Sequence, residues 1–149
     1  MPLNQALKGK SYEPVTFVVE RDRVADFAAA VGEDGAVFRD AEAASAAGFA
    51  EQVAPPTFVT VMNISISGQA ITDPELGLDY SRVVHAEMEY EWQRPVVVGD
   101  VLTAAPRIAD VYARGPNEFL VVEADISDAT GRTVVRSRSV LLSRGTAER

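Results

Sequence analysis

The sequence predicts an α+β domain in which an antiparallel sheet of about five strands packs one face against a helix. Helical patterns are confined to residues 21–70, whereas strand-like patterns fill most of residues 81–144. Apolar residues make up 47% of the 149 positions, which is enough for one globular core. We therefore expect a single domain over residues 1–149, with a frayed tail at residues 145–149.

The first predicted elements are a strand and two helices. Residues 14–20 (PVTFVVE) are rich in β-branched side chains and weakly alternating, as in a strand. Residues 21–31 place apolar side chains at helical spacing, and Gly32 ends this helix. Asp40 is a suitable N-cap for a second short helix that ends at Gly48.

Residues 55–70 (PPTFVTVMNISISGQA) are compatible with two structures. Their Val, Ile, Thr and Phe content favours a strand. The two prolines at the start and a length of about four turns favour a buried helix, because proline fits the first helical turn. Propensity alone is too weak to decide between them.

The second half of the chain predicts four strands. In residues 83–92, polar and apolar residues alternate, which puts His85 and Glu87 on the same face of a strand. Three further strands are predicted in residues 101–115, 117–131 and 132–144. Turn residues separate them at 99–100, 115–116 and 128–131, and the last two strands form a hairpin.

Composition excludes several classes of function. Without cysteine the chain has no disulfide, no thiolate metal site and no Cys nucleophile, and one histidine excludes a His-rich metal centre. A net charge of −8 argues against nucleic-acid binding. No apolar run approaches the roughly 20 residues of a membrane span, and no signal peptide is evident, so we expect a cytoplasmic protein without cofactor or metal.

The loop between the first two helices carries the most informative motif. Residues 27–44 (FAAAVGEDGAVFRDAEAA) resemble the active-site loop of the MaoC-like dehydratases and (R)-specific enoyl-thioester hydratases, in particular the FAS1-like, N-terminal-type dehydratase domains. That family's pattern is an aromatic, small residues, Gly, Asp, any residue, Asn, Pro, an aliphatic, His, five residues and Ala. The spacing is kept, but Glu33 stands at the Asp position and Phe38 at the His position.

The resemblance covers nearly the whole chain. It includes Gly48 and Phe49 followed by VAPPTFV, residues 76–102 with their R-P-x-x-x-G-D turn, and the closing hairpin. It implies a hot-dog fold, in which the sheet wraps around residues 55–70 as the central helix. Because that helix is apolar almost all round, we expect the sheet to bury it.

The resemblance also implies a chemistry and its residues. In the family, the loop Asp and His act on water, an amide at the start of the central helix binds the thioester oxygen, and a tunnel holds the acyl chain. Phe38 cannot transfer a proton, and Glu33 either replaces the Asp at a displaced position or is a solvated loop carboxylate. Gly35 and Ala36 replace Asn and Pro, which indicates relaxed loop geometry.

Several residues are candidates for contact with an acyl thioester. Thr57 aligns with the oxyanion donor, because its N–H lies at the start of the central helix. The full predicted set is Thr57, Phe58, Phe38, Met62 and Asn63. Gln69 either joins this set or bonds to nearby backbone. Arg82, Arg94 and Arg107 either contact a phosphate of the ligand or are solvated charges at strand ends.

His85 is the remaining conventional proton carrier outside the loop. It is either a relocated acid–base group that works with Glu87, or a strand histidine held by polar partners and solvent. Its position in a strand is distant in sequence from the loop, so we favour the second interpretation.

Three functions fit this sequence, and the first is preferred. In the first, we expect the chain to be a non-catalytic, acyl-binding subunit of a (3R)-hydroxyacyl-CoA or acyl-carrier-protein dehydratase, paired with a catalytic hot-dog chain. Alternatively, it is a self-sufficient hydratase that uses Glu33 or His85 with Glu87, or an acyl-thioester-binding homodimer without catalysis. A thioesterase is a weaker option. Pairing is expected in every case, because a lone sheet leaves an exposed edge.

Overall fold

The computed structural model describes residues 1–147 and shows one five-stranded antiparallel sheet, with strand order β1-β3-β4-β5-β2. The strands are β1 (Val15–Val18), β2 (Val83–Trp92), β3 (Val101–Arg114), β4 (Asn117–Ser127) and β5 (Thr133–Ser143). The predicted α+β class and the strand count are confirmed. β1 and β2 are the two open edges of the sheet.

Three α-helices precede most of the sheet: α1 (Arg21–Ala30), α2 (Ala41–Ala46) and α3 (Asn63–Ile71). Gly32 ends α1 in the left-handed region at φ 73°, where glycine is favoured. The Asp40 side chain caps α2 by accepting from the Glu42 N–H at 2.9 Å, as predicted. These two caps set the ends of the loop that carries Glu33 and Phe38.

The central helix is shorter than the predicted residues 55–70. Phe58–Met62 is a 3₁₀ helix, and regular α-helix begins only at Asn63. The tighter turns begin with bonds from Phe58 N–H to the Pro55 carbonyl and from Thr60 N–H to the Thr57 carbonyl. Successive β-branched side chains at residues 59–61 are crowded in an α-helix, which agrees with the late start.

The core lies between α3 and the inner face of the sheet, defined here as the face that carries Leu120, Val122, Ala124 and Ile126. Ile66 and Ala70 of α3 are buried against it. The expectation of a fully buried central helix is wrong, however, because Ile64 is 86% exposed and Val61 is 39% exposed. One face of the helix region therefore remains open in the single chain.

A β-bulge in β2 changes the predicted side-chain alternation. His85 pairs with Leu141 and Glu87 with Val140, so one extra residue, Ala86, lies between two consecutive pairs. Leu141 and Val140 point to opposite faces, and so do His85 and Glu87. The predicted shared face of His85 and Glu87 is therefore wrong.

The outer face of the sheet carries a network of ion pairs. Arg107, Arg136 and Arg138 each lie within 4.0 Å of at least two carboxylates, which come from Glu87, Glu89, Glu91, Glu123 and Asp125. Arg107 is therefore an exposed charge that is paired with a carboxylate, since its Nη2 lies 2.6 Å from Glu123.

The structure describes residues 145–147 of the predicted tail. Gly145 donates its N–H to Asn117 Oδ1 at 3.0 Å, and Ala147 donates its N–H to the Pro116 carbonyl at 3.3 Å. Residues 145–147 of the predicted frayed tail are thus hydrogen-bonded, while 148–149 lie outside the described residues. Within residues 1–147, no helix has the length and apolar character needed to cross a bilayer.

Candidate functional site

An apolar cavity of about 520 Å³ lies between the loop after α1 and the end of β2. Phe38 and Phe49 form one side, Pro56 and Val59 approach from the start of the central helix, and Trp92 closes the strand side. The chain's single tryptophan thus lies in the wall of this cavity. We refer to this space as the loop cavity.

The loop from Gly32 to Asp40 is held by its own hydrogen bonds. Phe38 N–H donates to the Gly35 carbonyl at 3.1 Å, and Asp40 N–H donates to the Ala36 carbonyl at 2.9 Å. The Arg39 guanidinium donates to the Glu33 carbonyl at 3.1 Å. These bonds close a short 3₁₀ turn at Ala36–Phe38.

Gly35 is needed here because of close approach and not because of its backbone angle. A Cβ at Gly35 would lie 3.0 Å and 3.1 Å from two atoms of the Phe38 ring. The ring therefore packs directly on the glycine backbone. The residues at positions 35 and 38 are therefore matched in size, and the relaxed loop geometry stays a prediction.

Glu33 turns towards its own loop. Its Oε1 accepts the Gly35 N–H at 3.3 Å, and the residue does not line the loop cavity. A carboxylate in this position shapes the turn before Phe38. The structure therefore gives Glu33 a local structural contact and leaves its predicted chemical role untested.

Thr57 is exposed and lies just before the 3₁₀ helix. Among residues 1–147, its N–H donates to no other backbone group in the turns and loops. The Thr57 N–H, which is predicted to face a thioester oxygen, is thus not occupied by a backbone hydrogen bond.

Comparison with known proteins identifies the family. The model of the FAS1-like, dehydratase domain region matches residues 6–137. The chain belongs to this family of FAS1-like dehydratase domains. It is also 41% identical to a UPF0336 protein of Saccharopolyspora erythraea and 40% identical to one of Streptomyces coelicolor. Those alignments cover 99% of this chain and 96% and 99% of the relatives.

Solved structures agree with this assignment. A chain of the HadBC (3R-hydroxyacyl-ACP dehydratase) complex from Mycobacterium tuberculosis superposes with a TM-score of 0.83 at 27% identity, covering 91% of this chain and 96% of that one. A MaoC-like dehydratase superposes with a TM-score of 0.86 at 22% identity, covering 94% of this chain and 43% of that one. The (R)-hydratase from A. caviae, at 0.69 and 18%, shares the fold. This chain is a hot-dog protein of the dehydratase type.

The other predicted ligand contacts of this FAS1-like dehydratase domain do not all reach the loop cavity. Phe38 lines it, but Phe58 and Met62 are only 1% and 2% exposed and belong to the core. Asn63 Nδ2 instead lies 3.3 Å from Tyr90 Oη and 3.5 Å from Met88 Sδ on β2. The predicted set is therefore divided between the cavity, the core and the α3–β2 contact.

His85 lies away from the loop cavity, on the inner face of β2. Its Nε2 is 3.0 Å from Ser139 Oγ, on the neighbouring strand. The bulge places Glu87 on the outer face, beside Arg138 at 3.7 Å. A His85–Glu87 acid–base pair is thus excluded by strand geometry.

Two further polar candidates, Gln69 and Arg82, bond within the protein. Gln69 Nε2 donates to the Glu13 carbonyl at 2.8 Å, as the second interpretation of this residue expected. Arg82 lies 3.5 Å from Asp79 and donates to the Arg144 carbonyl at 3.3 Å. Neither residue lines the loop cavity.

The spacing of the R-P-x-x-x-G-D turn brings its first residue, Arg94, against its last, Asp100. Its guanidinium donates two bonds, at 2.8 and 2.9 Å, to the two carboxylate oxygens of Asp100, and a third, at 3.3 Å, to Asp128. Asp100 Oδ2 also accepts the Val97 N–H at 2.9 Å. A bidentate pair of this kind has fixed geometry. Arg94 therefore holds the turn that forms one rim of the loop cavity, and it is not a solvated strand-end charge.

We expect stability to depend on Asp128 at acidic pH. Hydrogen bonds from the Thr130 hydroxyl, then from the Thr130 and Arg132 N–H groups and Arg94, lower the pKa of its carboxyl from 3.8 to about 2. Because the pKa is lower in the folded chain, this contribution to the free energy of unfolding is complete above roughly pH 5 and is lost as the pH falls towards 2. Urea unfolding at a series of pH values should show this loss. In the Asp128→Asn variant, the free energy of unfolding should change less with pH between about 5 and 2. The same pH dependence as in the wild type would contradict the lowered pKa of Asp128.

Proposed function

We propose that this chain is a non-catalytic, acyl-binding subunit of a (3R)-hydroxyacyl-thioester dehydratase, working on CoA or acyl-carrier-protein thioesters. One observation carries the proposal. Phe38 stands where the family has its histidine, and its ring forms part of the wall of an apolar cavity. The described lining of that cavity contains no Asp, Glu, His, Lys or Tyr.

The chemistry explains why this matters. Reversible dehydration needs one group to remove the α-proton and one to protonate the leaving hydroxyl, and such general acid–base work is worth roughly 10²–10⁴-fold. Arg94, the charged residue at the cavity, stays protonated and is bound to Asp100. An apolar wall suits an acyl chain, because it buries methylene groups without burying unpaired polar atoms.

Exposed apolar groups support a second hot-dog chain as the partner. Ile64 on α3 and Val61 in the preceding 3₁₀ helix are exposed, and β2 presents an unpaired edge with Trp92 39% exposed. Pairing through β2 satisfies an open strand edge. Two of the similar solved structures are complexes by name, HadBC and ChsH1-ChsH2. We infer that the partner carries the intact Asp and His.

The test is hydration of crotonyl-CoA by this chain alone and by its mixture with an intact-loop hot-dog chain from the same genome. We expect no turnover alone and a stable complex with the partner. With a longer enoyl thioester, the mixture should exceed the partner alone, because the loop cavity adds apolar wall. Loss of enoyl absorbance measures the rate, and size-exclusion chromatography measures the complex.

Two matched variants show whether the exposed face that carries Ile64 binds the partner chain. Ile64→Glu should prevent the complex, since it would place a charge in a buried interface. Val18→Glu changes an exposed valine on β1, the opposite edge of the sheet, and should leave the complex intact. Turnover by the purified chain alone would overturn the non-catalytic assignment. A homodimer that ignores every intact-loop chain would favour the acyl-binding homodimer.

A further inference from the structure

Gln52 is a buried polar residue that the sequence analysis did not single out. It is 1% exposed, and both ends of its side chain amide are bonded. Nε2 donates to the Phe38 carbonyl at 2.8 Å, and Oε1 accepts from the Arg21 guanidinium at 2.8 Å. Burying an amide without such partners is costly, so its position is set by these bonds.

The backbone around Gln52 joins the two opposite walls of the loop cavity. On one side, Val53 N–H donates to the Val37 carbonyl at 2.9 Å. On the other, the Gln52 carbonyl accepts the Val98 N–H at 2.9 Å, and Ala54 N–H donates to the Val96 carbonyl at 2.8 Å. The segment of residues 52–54 therefore spans between the Phe38 wall and the turn that follows Arg94.

We propose that Gln52 is the positioning residue of the loop cavity: through its bond to the Phe38 carbonyl it sets how far the Phe38 wall stands from the opposite wall, and so which acyl chains fit. The inference rests on the proposed acyl-binding function. Gln52 acts through Phe38 and does not itself line the cavity. Long acyl chains, which fill the space, depend on its width more than short ones do.

Two substitutions separate this role from simple support of the fold. Gln52→Met keeps the length of the side chain but removes both hydrogen bonds. Gln52→Glu keeps an acceptor for Arg21 but replaces the donor to the Phe38 carbonyl by a carboxylate oxygen, which repels that carbonyl. If the bond to Phe38 sets the wall, both variants should behave alike.

Trp92 provides the binding signal, since the chain's one tryptophan lines the cavity. Titrations with butyryl-CoA and dodecanoyl-CoA, which cannot be hydrated, measure affinity through its fluorescence. We expect both Gln52 variants to bind dodecanoyl-CoA about five- to tenfold more weakly, the equivalent of one lost hydrogen bond, and butyryl-CoA nearly as the wild type does. Gln69→Met, which removes a glutamine bond outside the cavity, is the matched control and should bind both ligands normally.

Hydrogen exchange gives a second readout that does not depend on ligand. Amides in residues 33–40 and 50–56 should exchange faster in both Gln52 variants, whereas the β4–β5 hairpin should be unchanged. Normal exchange in these segments, or a Gln52→Glu variant that binds dodecanoyl-CoA like the wild type, would overturn the positioning role. If wild-type protein gives no Trp92 response to any acyl-CoA, the proposed function fails, and exchange alone then decides the role of Gln52.

Discussion

Restoring the four family residues in the loop is expected to give this chain measurable hydration of crotonyl-CoA, about 10²-fold above its own background. The variant combines Glu33→Asp, Gly35→Asn, Ala36→Pro and Phe38→His. Spacing along the loop matches the family pattern, and the Thr57 N–H is not used by other backbone groups. We therefore expect the proton carriers to be the missing parts of the site. Loss of enoyl absorbance by the purified variant measures the gain.

Partial restorations are the controls, because positions 35 and 38 are coupled. Gly35→Asn alone should destabilise the loop, since the new Cβ meets the Phe38 ring at about 3.0 Å. The same change together with Phe38→His should cost less, because the imidazole ring is smaller. A double-mutant cycle measured by urea unfolding tests this non-additivity. A folded fourfold variant without hydration would show that the chain lacks more than its proton carriers.

Phe58→Ala should lower the free energy of unfolding by about 3–5 kcal/mol, the largest stability effect expected in this chain. Phe58 is 1% exposed, and its ring packs edge-to-face against Phe17 at 6.2 Å and Phe27 at 5.6 Å. Truncation leaves a cavity where β1, α1 and the central helix meet. Chemical denaturation of the variant and the wild type measures the difference.

Thr57→Ala is the matched control for Phe58→Ala. It alters the neighbouring residue, which is exposed, and should change stability by less than about 0.5 kcal/mol. Both residues belong to the ligand site predicted from the sequence. If Phe58→Ala folds with near-normal stability but loses the Trp92 response to acyl-CoA, Phe58 contacts ligand and is not a core residue.

Local patterns were sufficient for most of the fold. Gly32, Asp40 and Gly48 act within a few residues of themselves, so the helix ends they predict are largely correct. The turn at Gly115–Pro116 is equally local and connects β3 to β4 by two residues. Such signals need no partner from elsewhere in the chain.

Predictions from the sequence were wrong where contacts with other segments of the chain decide the local structure. The bulge at Ala86 depends on pairing with β5, and alternation along β2 alone does not reveal it. The exposure of Ile64 likewise depends on how the helix meets the sheet. In the candidate site, the bulge places His85 and Glu87 on opposite faces of the sheet. Packing of the central helix against the sheet places Phe58 and Met62 in the core.

The sequence by itself determined the family frame of the loop and the loss of its proton carrier, because Glu33 and Phe38 are read directly at fixed spacing. Only the tertiary structure showed which contacts hold the loop. Phe38 packs on Gly35, and Gln52, 14 residues further along, bonds to the Phe38 carbonyl. The Gln52 bond joins two separate segments of the folded chain, and the fit of Phe38 on Gly35 depends on the backbone path of the loop, which residue types alone do not give. Phe38 therefore lies in the wall of the loop cavity, and the loss of catalysis that this residue indicates stays a prediction.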